Sequence, residues 1–123
     1  MSPGFFAKRK DYMFKLSLNR IHDTVKITEG QDHLVLKVNG EPRRMVAGLS
    51  QAQKMLTAIG DDSTEEEVRK AAEFFSGVIF GTEQAAKLME FYRNDCGFVI
   101  NVCGRYFAER LKGLIIKAQK NEK

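Results

Sequence analysis

Most of the features that announce a function are missing from this sequence. It has no uninterrupted apolar run of about 18 residues, which excludes a transmembrane helix of ordinary length. The opening segment, MSPGFFAKRK, has only Phe5-Phe6-Ala7 as an apolar stretch, too short for the core of a secretory signal. Cysteine is limited to Cys96 and Cys103, and histidine to His22 and His33. Neither C-x2-C nor H-x3-H spacing occurs, so these four residues do not read as a zinc site, and no metal or cofactor is expected. The two cysteines fall seven positions apart on one predicted helix, about 10 Å along its axis, too far to be bridged. Free thiols fit a reducing compartment, so a cytoplasmic location is expected. There is no G-x4-G-K-[ST] phosphate loop. The glycine pair in SGVIFGTEQ has no lysine at the turn and follows a helical pattern and not a strand, so Gly77 reads as a close-packing point and Gly81 as a helix stop. Internal repeats and low-complexity tracts are also absent.

What is present belongs to an ordinary globular domain. The 123 residues are 43% hydrophobic and 29% charged, a length and composition suited to one domain with its own core. The net charge of +4 is unevenly placed: AKRKDYMFK near the start and RLKGLIIKAQKNEK at the end are basic, while DDSTEEE in the middle is acidic.

Periodicity divides the chain in two. In YMFKLSLN, Tyr12, Phe14, Leu16 and Leu18 alternate with Met13, Lys15, Ser17 and Asn19. The alternation continues through Val25 and Ile27, then through Leu34, Leu36 and Val38, as in a small antiparallel sheet with one buried face. The segment EGQD (29–32) links two of these runs, and Asn39-Gly40 carries a strong hairpin signal. A further strand over Arg43 to Ala47 is expected, confined to an edge by Pro42. From Ser50 the period becomes helical. SQAQ (50–53) and STEE (63–66) have capping-box form, and the acidic residues after Ser63 suit the first turn of a helix. Gly81 ends that helix, Thr82 is placed to cap the next, and Asn94 or Asp95 to cap the last. The expected fold is α+β in a single domain over 1–123. A small N-terminal antiparallel β-meander (about 11–47) precedes a bundle of about four helices (about 50–117), and residues 1–9 and 118–123 are expected to be flexible.

Catalysis by a cysteine needs a nearby base and an orienting group. Cys103 lies on an apolar helical stripe, where cysteine acts as a small hydrophobe, and Cys96 stands near a helix start. No further group completes a site around either, and a non-enzymatic protein is expected. Nucleic-acid binding is the alternative reading. Lys8, Arg9 and Lys10, together with Arg105, Arg110, Lys112 and Lys117, offer a basic surface without a recognisable reader motif. The nine phenylalanines leave a third course, protein–protein interaction. Phe75 follows the helical stripe, while Phe74 lies about 100° round, either widening the buried face or projecting outward for a partner.

The stretch AEFFSGVIFGTEQAAKLMEF carries a resemblance. Phe74, Phe75, Val78, Phe80, Gly81, Ala85 and Leu88 resemble the F-F-D-x-V-F-G corner and following T/A-x-x-A-x-x-I/L helix of small tail assembly chaperones from phages and prophages of Gram-positive bacteria. The likeness covers about residues 64–115. It implies a non-enzymatic virion-assembly factor in the bacterial host cytoplasm that binds the long helix of a tape-measure or other tail protein, with self-association as a further expectation. It also implies an apolar surface for that helix, for which Phe74, Phe80, Met89 and Phe91 are the candidates.

Overall fold

The computed structural model describes residues 20–120. The fold is α+β, an N-terminal antiparallel β-hairpin followed by a bundle of helices. Strand β1 (Ile21–Glu29) pairs with β2 (Asp32–Gly40) in a register that sets Val25 opposite Leu36 and Asp23 opposite Val38. The link is Gly30-Gln31, with Gly30 at a φ of 61°. Alternation sorts the two faces as the sequence predicts. Ile21, Leu36 and Val38 are buried, Val25, Ile27 and Leu34 are half-buried, and Thr24, Lys26, Thr28 and Lys37 face solvent. The strand expected over residues 11–19 lies outside the described residues.

After the hairpin the chain departs from the expected course. The edge strand over Arg43 to Ala47 is not formed. Helix α1 spans Pro42–Thr57, so Ser50 lies in mid-helix and does not cap it. The cause is local. Glu41 takes an extended N-cap conformation, and its carboxylate accepts from the amides of Arg43 (3.2 Å) and Arg44 (3.3 Å). Pro42 follows at the first helical position, where its missing N–H has no partner to lose and its fixed φ suits the helix. Asn39-Gly40 therefore ends a strand and starts no second hairpin.

Helix α2 (Glu65–Phe80) is capped by Thr64, one residue later than the STEE pattern suggests. The Thr64 Oγ1 accepts from the Glu67 amide at 3.1 Å, while Ser63 Oγ accepts from the Gly60 amide at 2.9 Å. Gly81, at a φ of 86°, ends α2 and also serves as N-cap of α3 (Thr82–Phe91), which has no side-chain cap; Thr82 is its first residue and does not cap it. A side chain at that φ is strained, so the corner calls for glycine. Asp95 caps α4 (Cys96–Tyr106), accepting from the Phe98 amide at 3.1 Å. A π-turn (Phe107–Leu111) then leads into α5 (Lys112–Lys120), where Ala118 still packs against the core.

Helix α2 is the centre of the packing. It contacts α1, α3, α4 and β2, while α5 lies against α1 and β1. Its buried face, Ala72, Phe75, Ile79 and Phe80, meets Leu88, Val99, Cys103 and the hairpin residues Leu36 and Val38 in one core. Gly48 of α1 marks the crossing with α2, since a Cβ there would stand 2.8 Å from Val78 Cγ1. Gly77 is not the close-packing point, because a Cβ there would meet nothing within 4 Å. Among the described residues no helix is long and apolar enough to cross a membrane.

Candidate functional site

Helix α1 carries two apolar stripes. Met45 and Ala52 turn into the core. Val46, Leu49 and Leu56, on one side of the helix, form a second stripe that is only partly covered. Phe75 from α2 and Phe107 from the π-turn approach this stripe, and Ser50 and Gln53 add polar groups at the rim. The result is a groove of about 410 Å³, mostly apolar and open to solvent. Its size suits one or two large apolar side chains and its composition is that of a binding groove. A wider cleft of about 620 Å³ lies elsewhere, between the start of α2 and the turn before α4, where Ser63, Glu66, Asn94 and Asp95 line it. Local structure accounts for much of its polar character, since Ser63 and Asp95 hold turn and cap amides there.

Behind the groove, the π-turn positions a polar cluster. Asp23 lies on the inward parity of β1, among apolar residues, with its side chain 8% exposed. Its Oδ2 accepts from the Tyr106 hydroxyl at 2.7 Å and from Arg110 Nε at 2.5 Å. The Arg110 hydrogen bond holds the Asp23 carboxyl below its ordinary 3.8 against the opposing effect of burial, and Tyr106 and the Thr24 amide add to it. Burial, then the Asp23 carboxylate, raises the Tyr106 phenol. Phe80 stacks on Tyr106 with ring centroids 5.9 Å apart, so the cluster is tied to the α2–α3 corner. It anchors the last helical rod to β1. Sequence reading passed over Asp23, although an acid in an inward position of an alternating strand is a visible signal that it needs partners.

The surface residues expected from the resemblance are scattered. Phe80 and Met89 are buried, at 5% and 6% exposure, and belong to the core and not to a partner surface. Both stand on the inward stripes of their helices, which the close packing of α2 on α3 covers. Phe74 is 37% exposed. Phe91 is half-buried and meets the edge of Tyr92, with centroids 5.0 Å apart. None of the four lines the groove on α1. Of its residues, Val46 and Leu49 escaped sequence reading because α1 was expected to start at Ser50.

Of the expected basic surface, Arg105, Lys112 and Lys117 are exposed, while Arg110 is committed to Asp23. Cys103 is fully buried and burial pushes its thiol up to about 12, well away from nucleophilic use at neutral pH. Cys96 is half-buried, with its Sγ 3.5 Å from the Asn94 carbonyl. His22 and His33 are both exposed on the hairpin, His33 beside Thr28. Among the described residues no group of three or more His, Cys, Asp or Glu is arranged to hold a metal ion. Comparison with family models, with characterised proteins and with solved structures finds no match to this chain.

Proposed function

We propose that this protein is a non-enzymatic assembly chaperone of the phage-tail kind, acting in the bacterial cytoplasm. Its α1 groove receives the apolar face of a helical partner such as a tape-measure protein. The observation that carries this reading is the second, partly covered stripe of α1 with Phe75 and Phe107 beside it. A helix laid along it can insert side chains spaced by three and four residues, the usual mode of helix-in-groove recognition. Phe74 supports the same reading as an exposed aromatic on the neighbouring helix. The nucleic-acid alternative is weakened by the pairing of Arg110 with Asp23, which takes one cation out of the basic set.

The test is binding to a phage tape-measure protein. Wild-type protein is expected to bind helical fragments of it and keep them soluble. Leu49→Asp, which places a charge in the groove, is expected to lower the affinity by tenfold or more, on the scale of about 1.4 kcal/mol per decade. Equal binding by both proteins, or steeply salt-dependent retention on DNA in place of it, overturns the reading.

A further inference from the structure

The apolar groove on α1 has charged neighbours of one sign. An adjoining hollow of about 410 Å³ shares Ser50 and Gln53 with it and adds Lys54, Thr57 and Ala58. Lys54 is exposed, and the residues three and four positions from it, Gln51, Thr57, Ser50 and Ala58, include no acid to pair with its ammonium. Helix α1 as a whole holds Arg43, Arg44 and Lys54 and no acidic residue. Glu41, just before it, spends its carboxylate on the amides of Arg43 and Arg44. Helix α5, which packs against α1, has exposed Lys112, Lys117 and Lys120 and again no acid. Elsewhere the helices mix the two signs. In α2 Arg69 pairs with Glu73 at 3.3 Å, and in α3 Lys87 stands one turn from both Glu83 and Glu90. Two acids come close in sequence to groove residues, and neither offsets Lys54. Glu73, near Phe75, is the one held by Arg69. Glu109 follows Phe107 by two positions, about half a turn round the rod and so on its other side.

We propose, on the footing that the groove receives a helix, that the partner it selects is an acidic amphipathic helix. Its apolar stripe enters the groove, and the carboxylates bordering that stripe meet Lys54 in the positive field of α1 and α5. The geometry favours this arrangement. Val46 to Leu56 spans about 15 Å of helix, enough for two to three turns of a partner laid along it. An amphipathic helix carries its charges at the borders of its apolar stripe. A stripe seated over Val46, Leu49 and Leu56 therefore brings one border across Ser50 and Gln53 to Lys54. Glutamates at that border are attracted and lysines are repelled, so one surface both accepts the right helix and rejects the wrong one. Rim charges of this kind govern selection and encounter more than affinity, and salt screens them. The groove also decides between two anionic classes of partner. A phosphate backbone gains nothing from Val46, Leu49 and Leu56, and the buried Phe75 presents no ring face on which a base can stack.

Fluorescence anisotropy of the full chain with two designed helical peptides tests it. Both peptides carry the same leucine stripe, and they differ only in the residues bordering it, glutamate in one and lysine in the other. Wild-type protein is expected to bind the glutamate peptide about tenfold more tightly at low salt, a preference that shrinks as salt is raised. Lys54→Glu, an exposed change outside the groove, is expected to bring the two affinities to within about threefold of each other. Leu49→Asn, which makes the groove polar without adding charge, is expected to weaken both peptides by about tenfold or more. Equal affinity of wild type for the two peptides, or a preference unmoved by Lys54→Glu, overturns the acidic partner and leaves the groove as a helix receptor. Binding of neither peptide removes the receptor and the acidic partner together. Glutamate-peptide binding that survives Leu49→Asn is contact with charge alone and overturns the proposal. So does displacement of that peptide by duplex DNA at a lower concentration than by unlabelled peptide, which would assign the cations to nucleic acid.

Discussion

Tyr106 donates its hydroxyl to the Asp23 carboxylate at 2.7 Å, joining the start of β1 to the end of α4 across 83 positions of sequence. Both side chains are largely out of water, at 9% exposure for Tyr106 and 8% for the side chain of Asp23. Hydrogen bonds to a charged group in such a place are worth about 1.5–3 kcal/mol.

Tyr106→Phe is therefore expected to lower stability by about 1.5–3 kcal/mol, read as a lower urea midpoint with an unchanged slope. The pH dependence follows from the depressed Asp23 carboxyl. Its contribution is complete above the ordinary value of 3.8 and fades as pH falls below it, through the folded-state value. Arg110→Met removes the main cause of the depression, so its destabilisation should be evident at pH 7 and shrink towards pH 2. A difference from wild type that stays constant over that range would show that Arg110 acts by packing alone.

Two glycines of neighbouring helices should respond oppositely to alanine. At Gly48 the new methyl meets the Val78 methyls at 2.8 and 3.0 Å, and a β-branched side chain has little freedom to yield. Gly48→Ala is expected to destabilise by about 1–3 kcal/mol, the range for overpacking. At Gly77 the methyl enters open space within an ordinary helix, so Gly77→Ala is expected to stabilise by about 0.5–1 kcal/mol. Thermal melts of the two variants check both signs.

The Gln84 clasp gives a third expectation. Its Nε2 donates to the carbonyls of Lys37 and Phe80, at 2.6 and 2.7 Å, and its Oε1 accepts from the Lys37 amide. Gln84→Glu keeps the shape and loses both donations while setting a negative oxygen beside two carbonyls. It should lower stability more than Gln84→Ala does, by about 1–3 kcal/mol against wild type. Chemical denaturation of the three proteins side by side tests the order.

Thiol titration separates the cysteines. Cys103 is fully buried with its thiol pushed up to about 12, whereas Cys96 is half-buried at the start of α4. A thiol reagent at pH 7–8 should leave Cys103 unmodified in the folded protein and reach both cysteines in denaturant. Rapid reaction of Cys103 in the folded state would mean that the core around Val99 and Leu111 opens far more often than its packing implies.

Much of the fold was legible because it rests on local rules. Alternation located both strands of the hairpin, EGQD marked its link, and Gly81 and Asp95 marked two of the helix boundaries. Around residue 40, two local signals competed. Asn39-Gly40 favours a hairpin, but Glu41-Pro42 favours a helix start, and the second prevailed because Met45 and Ala52 complete a stripe that the core requires. The groove was hidden for the same reason, since Val46 and Leu49 form a face only once α1 is known to begin at Pro42. The position of Asp23 announces that it needs partners but not which ones. Its partners Tyr106 and Arg110 come 83 and 87 residues later, a distance no local pattern spans.

The π-turn is one residue more than an α-helix needs. Inward positions of the last rod step by four and three through Val99, Cys103 and Tyr106, then by five to Leu111, then by four to Ile115. The surplus residue keeps Arg110 from the core slot that regular winding would give it and hands that slot to Leu111. The rod thus has two phases offset by about 100°, joined at a single seam. A one-residue deletion in Phe107–Arg110 would erase the seam and leave Leu111 and Ile115 four and eight residues after Tyr106, on the inward stripe of a regular α-helix. One further residue in a regular continuation would instead turn both outward by about 100°. Insertions and deletions, harmless in most surface loops, are here a change of gear.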